Sequence, residues 1–403
     1  MFWTVMWTIA GCAALWWLWA HLWVSSLPRA RWWRAALALF SLAQIAALAW
    51  VLAPSRVPVE MPTPVRAWVY IWNMLALPIG VLLGVVCVAG WCAWALVRRA
   101  RRRAPGPTAS PTAGPTPEGP RMTRRQLLAA SAVAAPPVLG GVGLAKGLWE
   151  LDHFRVRDID VPLAGLPADL EGATFAHVTD VHAGRYTRGT VLREIARRVN
   201  SLRCDAILMT GDLIDRDLAD LPEALTMVAR FDRPVYLCEG NHDLFESSEG
   251  FASVVRAAGF PLLRNQADTL RIRGVPVQML GIRWGGQGRG RDASVDEHLR
   301  DIDHLRDPDA FQVLLAHHPH AFDGATRLGI PLTLGGHTHG GQLMLSDDAG
   351  AGPLLYRYWS GLYRARGPAG RDSASVISNG VGNWFPLRLN APAEIVRVTL
   401  RRA

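Results

Sequence analysis

Three long stretches of this chain contain no Lys, Arg, Asp or Glu, and they restrict its fold more than any other feature. They cover residues 1–24, 35–53 and 68–97. A helix of about 20 apolar residues crosses the hydrocarbon core of a bilayer, because its backbone groups are hydrogen-bonded within the segment. The sequence therefore predicts an all-α transmembrane region with three helices in residues 1–103.

A fourth apolar segment, residues 122–150, is weaker because it is rich in Ala and Gly and contains two adjacent prolines. Its start, Thr-Arg-Arg-Gln-Leu-Leu from Thr123, resembles a twin-arginine export signal, although Leu127 and Ala129 stand where Phe and Lys are usual. The same arginines would also anchor an ordinary transmembrane helix. We expect a fourth transmembrane helix or a twin-arginine-like signal anchor, and the sequence leaves its cleavage open.

The net positive charge of the chain lies in its N-terminal part. Residues 1–150 hold 14 Lys and Arg against three Asp and Glu, whereas residues 151–403 hold 29 against 31. A nucleic-acid-binding domain would carry the basic surface itself, so no nucleic-acid partner is expected. Membrane proteins retain Lys and Arg on the cytoplasmic side, and here arginines follow the first and third apolar stretches.

These arginines predict a topology. We expect a multi-pass protein of a bacterial cytoplasmic membrane, with residues 151–403 on the periplasmic or extracellular side. Residues 104–121 are rich in Pro, Gly and Thr, which predicts a flexible cytoplasmic linker.

After residue 151, short apolar runs such as 174–178 alternate with helical patterns such as 190–201, which predicts α/β layers. Five of the apolar runs end in polar motifs: Asp180-Val-His182, Gly211-Asp212-Leu-Ile-Asp215, Gly240-Asn241-His242-Asp243, His317-His318-Pro319 and Gly336-His337-Thr-His339. In open α/β sheets ligands bind at the carboxyl ends of strands, so these side chains are expected to converge. Oxygen and imidazole donors without thiolates suit Mn, Fe, Zn or a similar divalent ion.

The five motifs, in this order, resemble those of the calcineurin-like metallophosphoesterase superfamily over roughly residues 170–400. The closing Ser378-Asn379-Gly380 and Pro-Leu-Arg-Leu segments are similar to its bacterial membrane-linked or exported branch. The resemblance implies an α/β fold for residues 151–403, a metallophosphoesterase-type layered β-sandwich flanked by helices, that binds two divalent metal ions. Four residues would hold each ion, with Asp212 shared: Asp180, His182, Asp212 and His339 for one, and Asp212, Asn241, His317 and His337 for the other.

The resemblance also implies catalytic roles. A hydroxide that bridges the ions would attack phosphorus, and His242 would protonate the leaving oxygen or stabilise its charge while Asp215 orients the ring. Because His318 and His320 lie beside His317, either is an alternative ligand.

A basic insertion between two of the motifs contains three arginines that are candidates for substrate binding: Arg283, Arg289 and Arg291. Guanidinium groups bind phosphate oxygens well, so the insertion is interpreted as a flexible loop over the site. A solvated loop with scattered arginines is the alternative.

We therefore expect a membrane-anchored binuclear-metal phosphoesterase that hydrolyses a phosphodiester or phosphomonoester, and membrane tethering favours a phospholipid or lipid-linked substrate. The enzymatic alternative is the pyrophosphate hydrolase that cleaves UDP-2,3-diacylglucosamine in lipid A synthesis. The outward topology disfavours it, because that nucleotide substrate is cytoplasmic. The alternative from another class is a non-catalytic membrane sensor or scaffold, against which the complete set of motifs argues.

Overall fold

The computed structural model describes residues 2–25, 29–52, 61–101, 124–151, 153–284, 291–346, 349–368 and 370–403. The chain forms two compact units, Met1–Ala145 and Lys146–Ala403. Two of the sequence predictions, the linker at 104–121 and the role of Arg289, lie outside the described residues.

The first unit is helical. Its helices are α1 (Phe2–Val24), α2 (Ala30–Leu52), α3 (Thr63–Ile71), α4 (Leu77–Arg101) and α5 (Arg124–Leu151). Helix α5 ends in the second unit. A π-helical turn, Trp72–Ala76, joins α3 to α4, so that the third predicted helix is longer than expected. Among the described residues, Ala30–Val51 and Thr63–Arg99 are long and apolar enough to cross a membrane, judged by length and composition. The crossing of α1 and α5 stays a prediction.

Two β-sheets form the second unit. Their strands, with a small separate hairpin of β9 and β10, are β1 (Phe154–Leu163), β2 (Thr174–Val178), β3 (Ala206–Thr210), β4 (Val235–Cys238), β5 (Gln266–Ile272), β6 (Val275–Gly281), β7 (Phe311–Leu315), β8 (Leu332–Gly335), β9 (Met344–Ser346), β10 (Ala349–Gly350), β11 (Gly361–Arg366), β12 (Asp372–Ile377) and β13 (Ala393–Arg402). The first sheet has the order β1-β13-β2-β3-β4 and the second the order β11-β12-β8-β7-β6-β5. Strands β2, β3 and β4 are parallel to one another, as are β6, β7, β8 and β12.

The two sheets pack face to face around an apolar core, because their side chains alternate between the two faces. In β3, Leu208 points to the core between the sheets, whereas Ile207 points to the outer face. In β7, Val313 likewise points to the core between the sheets, and Leu314 points to the outer face. The predicted layered β-sandwich is therefore confirmed.

Helices flank both sheets. They are α6 (Thr190–Ser201), α7 (Leu221–Val228), α8 (Ser248–Ala257), α9 (Arg291–Asp303), α10 (Ala321–Leu328) and the short α11 (Ala351–Leu355). Buried residues of α6, α7 and α8 pack on the first sheet, and those of α9 and α10 pack on the second. Loops follow the carboxyl ends of β2, β3, β4, β7 and β8. These loops carry the five polar motifs.

Candidate metal centre

The loops after these five strands bring three groups of ligand-type side chains together. Within each group, one ligand atom per residue lies within 4.8 Å of the others: Asp180, His182 and His339; His182, Asp212 and His242; Asp212, His317 and His337. The groups overlap at His182 and Asp212, so they form one continuous cluster. All of the cluster is buried except His242 and His337, which are partly exposed.

The first group has a geometry that fits a cation. His339 Nε2 lies 3.1 Å from Asp180 Oδ1 and 3.0 Å from His182 Nε2. Two imidazole nitrogens thus face each other next to a carboxylate. Nitrogen and oxygen donors that converge in this way are suited to a divalent metal ion.

The third group, which contains Asp212 and His317, fits as well. His317 Nε2 lies 3.1 Å from Asp212 Oδ2, while its Nδ1 lies 2.7 Å from the backbone oxygen of Thr210. The carbonyl only accepts, so Nδ1 donates, and the ring when neutral presents the lone pair of Nε2 to the cluster. Asn241 Oδ1 is buried without a hydrogen-bond partner among the described residues. Such an atom is costly unless a ligand satisfies it.

Five residues of the cluster have a backbone conformation that L-amino acids rarely adopt. Their φ angles are positive: Asp180 (52°), His182 (46°), Asp212 (53°), His337 (72°) and His339 (50°). Strained backbone of this kind costs about 1–3 kcal/mol per residue and concentrates at functional sites. Here it turns each side chain toward the cluster directly after its strand.

Close approach between loops also depends on Gly240. A Cβ at this position would overlap the carboxylate and the backbone nitrogen of Asp212. The loop after β4 can therefore reach the loop after β3 only with glycine here.

The electrostatics of the cluster follow from burial and mutual charge. Burial alone would raise the pKa of Asp180 and Asp212, but the neighbouring histidines hold both well below the usual range. The carboxylates in turn raise the pKa of His317 to about 9 against the opposing effect of burial. Burial lowers the pKa of His337 to about 3 and that of His339 to about 4. The two carboxylates are therefore ionised at neutral pH, as metal ligands must be.

His242 and Asp215 lie at the edge of the cluster. His242 Nδ1 lies 2.6 Å from the backbone oxygen of Asp215 and 3.3 Å from its carboxylate, so Nδ1 donates and Nε2 remains for another partner. Burial lowers the pKa of His242, but the hydrogen bond that it donates to Asp215 and the charge of Asp212 outweigh burial and raise the pKa overall. The ring can therefore carry a proton, although its position near His182 and Asp212 also puts it within reach of a metal ion.

Asp243 organises the same loops. Its carboxylate accepts hydrogen bonds from the backbone of Leu213, Ile214 and Gly240, and it is buried. It joins the loop after β3 to the loop after β4 and belongs to none of the three groups found among the described residues.

The remaining predicted residues are placed as follows. Of the three neighbouring histidines, His317 belongs to a ligand group among the described residues, whereas His318 and His320 do not. Arg283 reaches the buried Glu239 with an Nε to Oε1 distance of 3.4 Å. Arg291 begins helix α9, so the predicted loop ends one residue earlier than expected.

Three aromatic residues and one arginine beside the cluster were missed from the sequence. Phe245 and Trp384 flank His242, with ring centroids 4.5 and 5.9 Å away, and Trp284 lies 4.9 Å from His337. Arg388 is fully buried and contacts His339; burial lowers its pKa to about 10, so it stays cationic at neutral pH. Arg388 lies in the Pro-Leu-Arg-Leu segment. The similarity of this segment to the bacterial branch of the family was the sequence signal that could have identified Arg388.

A family profile described as calcineurin-like phosphoesterase matches residues 173–341, which contain every member of the cluster. The chain carries a calcineurin-like phosphoesterase domain. The match spans β2 to the Gly-His-Thr-His-Gly-Gly segment, and so confirms the resemblance that the five motifs indicated.

Curated relatives agree with this assignment. A transmembrane protein with metallophosphoesterase domain from Danio rerio is 27% identical over 266 residues, which are 62% of this chain and 58% of that protein. An uncharacterized metallophosphoesterase, YkuE of Bacillus subtilis, is 28% identical over 297 residues, which are 70% of this chain and 98% of that protein. The chain thus spans about six-tenths of the length of the Danio rerio relative. The likeness is not confined to bacteria.

Among solved structures, a dimetal phosphatase from Danio rerio aligns with 52% of this chain over 88% of its own length, at 13% sequence identity. Its TM-score of 0.32 is too low to carry a conclusion.

Proposed function

We propose that the phosphoesterase domain binds two divalent metal ions and hydrolyses a phosphoester. The observation that carries the proposal is the convergence of Asp180, Asp212, His317 and His339 from the loops of two different sheets, with ligand atoms 3.1 Å apart in each facing pair. Asp212 lies between the two groups and would be shared by both ions. The ions, when bound, would polarise phosphoryl oxygens and make hydroxide available near neutral pH.

The chain's own residues would handle the leaving group. His242 has a raised pKa and a fixed Nδ1 donor, so its Nε2 is suited to hold a proton for the departing oxygen. Asp215 would orient the ring. Both residues are side by side at the opening of the cluster, where His242 is partly exposed.

The surroundings of His242 favour a substrate whose leaving group is apolar. The exposed fractions of Phe245 and Trp384 are 46% and 43%, which is high for large aromatic side chains. Both rings contact His242, so they would lie against the group that it protonates. Together with two helices apolar enough to cross a membrane, this supports a phospholipid or another lipid-linked phosphoester.

The proposed location is a bacterial cytoplasmic membrane, with the phosphoesterase domain on its outer side. Support comes from the arginine distribution and from the transmembrane relative of Danio rerio. None of the relatives named above is described as a nucleotide-lipid hydrolase, and we do not propose the UDP-diacylglucosamine reaction.

The proposal is tested with the full-length protein in detergent. Purified protein is stripped of metal, reloaded with Mn²⁺, Zn²⁺, Fe²⁺ or Mg²⁺, and assayed on phosphomonoesters and phosphodiesters with either a long acyl chain or a short polar leaving group. We expect metal-dependent hydrolysis and a higher kcat/KM for the acyl substrates. Hydrolysis that does not need metal would contradict the site; equal kcat/KM for both leaving groups would contradict only the lipid assignment.

A further inference from the structure

The described part of the second unit contains a cavity of about 450 Å³, and none of its lining residues belongs to the three ligand groups. Its wall includes two arginines, a tryptophan and three uncharged polar side chains: Arg155, Arg157, Trp359, Ser360, Asn379 and Asn390. Gly340, which directly follows His339, also lies on the wall, so the cavity borders the loop that carries this histidine. The cavity is therefore a second candidate ligand site in the same domain.

The two arginines of the wall have unused hydrogen-bond donors. They are two residues apart in β1 and project from the same face of the strand. Arg155 donates Nε and Nη2 to one oxygen of Glu394, over 3.1 and 2.9 Å. Nη1 of Arg157 lies 3.2 Å from Ser360 Oγ and 3.5 Å from the other oxygen of Glu394. Nη1 of Arg155 and both Nε and Nη2 of Arg157 have no partner among the described residues, so they remain for a ligand.

The charge beside the cavity is positive. Among the described residues, Glu394 is the only carboxylate that contacts Arg155 or Arg157, and it is fully buried behind them. The charge of Glu394 also acts on the buried Arg388, so it does not serve the two arginines of the wall alone. An anion in the cavity would balance the excess positive charge. Guanidinium groups with unused N–H donors bind phosphate oxygens well.

Exposed leucines border the same cavity. Met344, which lies on the wall, is followed by Leu345, whose exposed fraction is 67%. Helix α11 packs on Met344 through Gly352, whose N–H donates to Sδ over 3.4 Å. The last two residues of α11, Leu354 and Leu355, are 84% and 69% exposed. A cationic cavity beside exposed leucines matches the headgroup layer and the hydrocarbon edge of a bilayer.

The wall of the cavity is also connected to the end of α5. Oδ1 of Asn390 accepts a hydrogen bond from Lys146 Nζ, and its Nδ2 donates to the backbone oxygens of Met344 (2.9 Å) and Leu345 (3.2 Å). Residues 127–145 of α5 carry no charge, and a stretch of about this length crosses a hydrocarbon core. Lys146 is the first charged residue after that stretch. The predicted crossing of α5 would therefore end beside the cavity, at the level of the lipid headgroups.

We propose that this cavity binds the phosphate group of an anionic phospholipid of the bilayer, while Leu345, Leu354 and Leu355 enter the edge of the hydrocarbon. Binding there docks the phosphoesterase domain on the membrane surface. The site shares no residue with the metal cluster, so the proposal goes beyond the proposed function and does not depend on it.

Lipid binding is measured by calorimetry with metal-free, full-length protein in a non-ionic detergent, so that no metal ion in the cluster holds the phosphate. The probes are dioctanoyl phosphatidylglycerol, dioctanoyl phosphatidylcholine and inorganic phosphate. We expect wild type to prefer phosphatidylglycerol, whose headgroup carries a net negative charge. Arg157→Gln should weaken this binding by about 10- to 100-fold, because hydrogen bonds between charged groups contribute about that much.

Matched variants separate the cavity from other basic residues and from misfolding. Arg397→Gln is the control, since Arg397 lies on the neighbouring strand β13 but is paired with the exposed Asp158 over 2.7 Å. It should bind the lipid as wild type does, and Arg157→Lys should recover part of the lost affinity. Arg155→Gln should act like Arg157→Gln. If it unfolds because Glu394 loses its nearer partner, Arg157→Gln decides.

Docking is tested by hydrogen–deuterium exchange of the full-length protein in lipid nanodiscs. Residues 349–356 should exchange more slowly in phosphatidylglycerol nanodiscs than in phosphatidylcholine nanodiscs, because contact with the bilayer suppresses local opening. Leu354→Glu should abolish this difference. Val254→Glu is the control, because Val254 is 41% exposed on α8, a helix that contributes no residue to the cavity wall. It should behave as wild type does.

Wild-type affinity for phosphatidylglycerol in Arg155→Gln and Arg157→Gln would overturn the inference, as would a wild type that does not bind this lipid. Displacement of the lipid by inorganic phosphate at equal concentration would also overturn it and assign the cavity to a free anion. Equal exchange in both kinds of nanodisc would overturn the docking. None of these outcomes bears on metal-dependent hydrolysis, which the assay of the proposed function tests separately.

Discussion

Asp212 is the residue on which both candidate ion sites depend. Its Oδ2 lies 3.1 Å from His317 and 3.6 Å from His182, and its Oδ1 accepts the backbone N–H of His242. Its buried carboxylate therefore contributes charge to both groups of ligands. Substituting any other ligand would leave one group complete.

We expect Asp212→Ala to lose both metal ions and all activity together, because neither group retains its shared oxygen ligand. Metal analysis of the purified full-length variant, with wild type and Asp180→Ala in parallel, measures this. Asp180→Ala should keep more metal than Asp212→Ala. Retention of two ions by Asp212→Ala would contradict the shared role.

We expect His242→Ala to keep both ions yet lose most of its turnover, by about 10²- to 10⁴-fold, because general acid catalysis contributes about that much. The loss should shrink for substrates with good leaving groups, which need no proton. Stopped assays on two esters of different leaving-group pKa, combined with metal analysis, check both parts. An empty ion site in His242→Ala would instead make His242 a ligand, as its place near His182 and Asp212 allows.

At the scale of elements, Glu394 joins three segments of the phosphoesterase domain. This buried carboxylate on β13 accepts hydrogen bonds from Arg155 on β1 over 2.9 Å and from the backbone N–H of Asn379 after β12 over 3.2 Å. Arg155 is half-exposed and can return to water, but the N–H of Asn379 is buried. A lost acceptor at such a group is expensive.

We therefore expect Glu394→Ala to lower the free energy of unfolding by about 1–3 kcal/mol, because the buried N–H loses its acceptor. Asp158→Ala is the control on the same two strands, since its partner Arg397 is 2.7 Å away but both side chains are exposed. An exposed pair contributes about 0–1 kcal/mol. Denaturant unfolding followed by circular dichroism compares them, and equal effects would contradict the argument.

The elements themselves were predictable where the pattern was strongly periodic. Strand β2 and helix α6 have the bounds that the sequence predicts, 174–178 and 190–201. Strand β1 was missed, because its Arg and Asp residues give no apolar run and its stability comes from parallel pairing with β13. Pairing between segments about 240 residues apart leaves no local signal.

At the scale of the whole molecule, the sidedness of the phosphoesterase domain remains a prediction. The arginines that follow the first and third apolar stretches predict that the 104–121 segment is cytoplasmic and that residues after 152 lie outside. We expect a reporter that is active only outside the cytoplasm to work when fused after residue 152. A reporter that is active only inside should work when fused within 104–121. The reverse pattern would contradict the topology and remove the main objection to a cytoplasmic substrate.

The family, the layered fold and the ligand-type residues are predictable from sequence alone, because each motif is a short local pattern that follows its own strand. Which of these side chains come into contact depends on the packing of the two sheets. His317 Nδ1 donates to the backbone oxygen of Thr210, which lies 107 residues away in the other sheet, and Arg388 is an interior contact of His339. Local preferences act over a few residues, whereas these contacts depend on how two sheets pack, which the buried core of the domain sets.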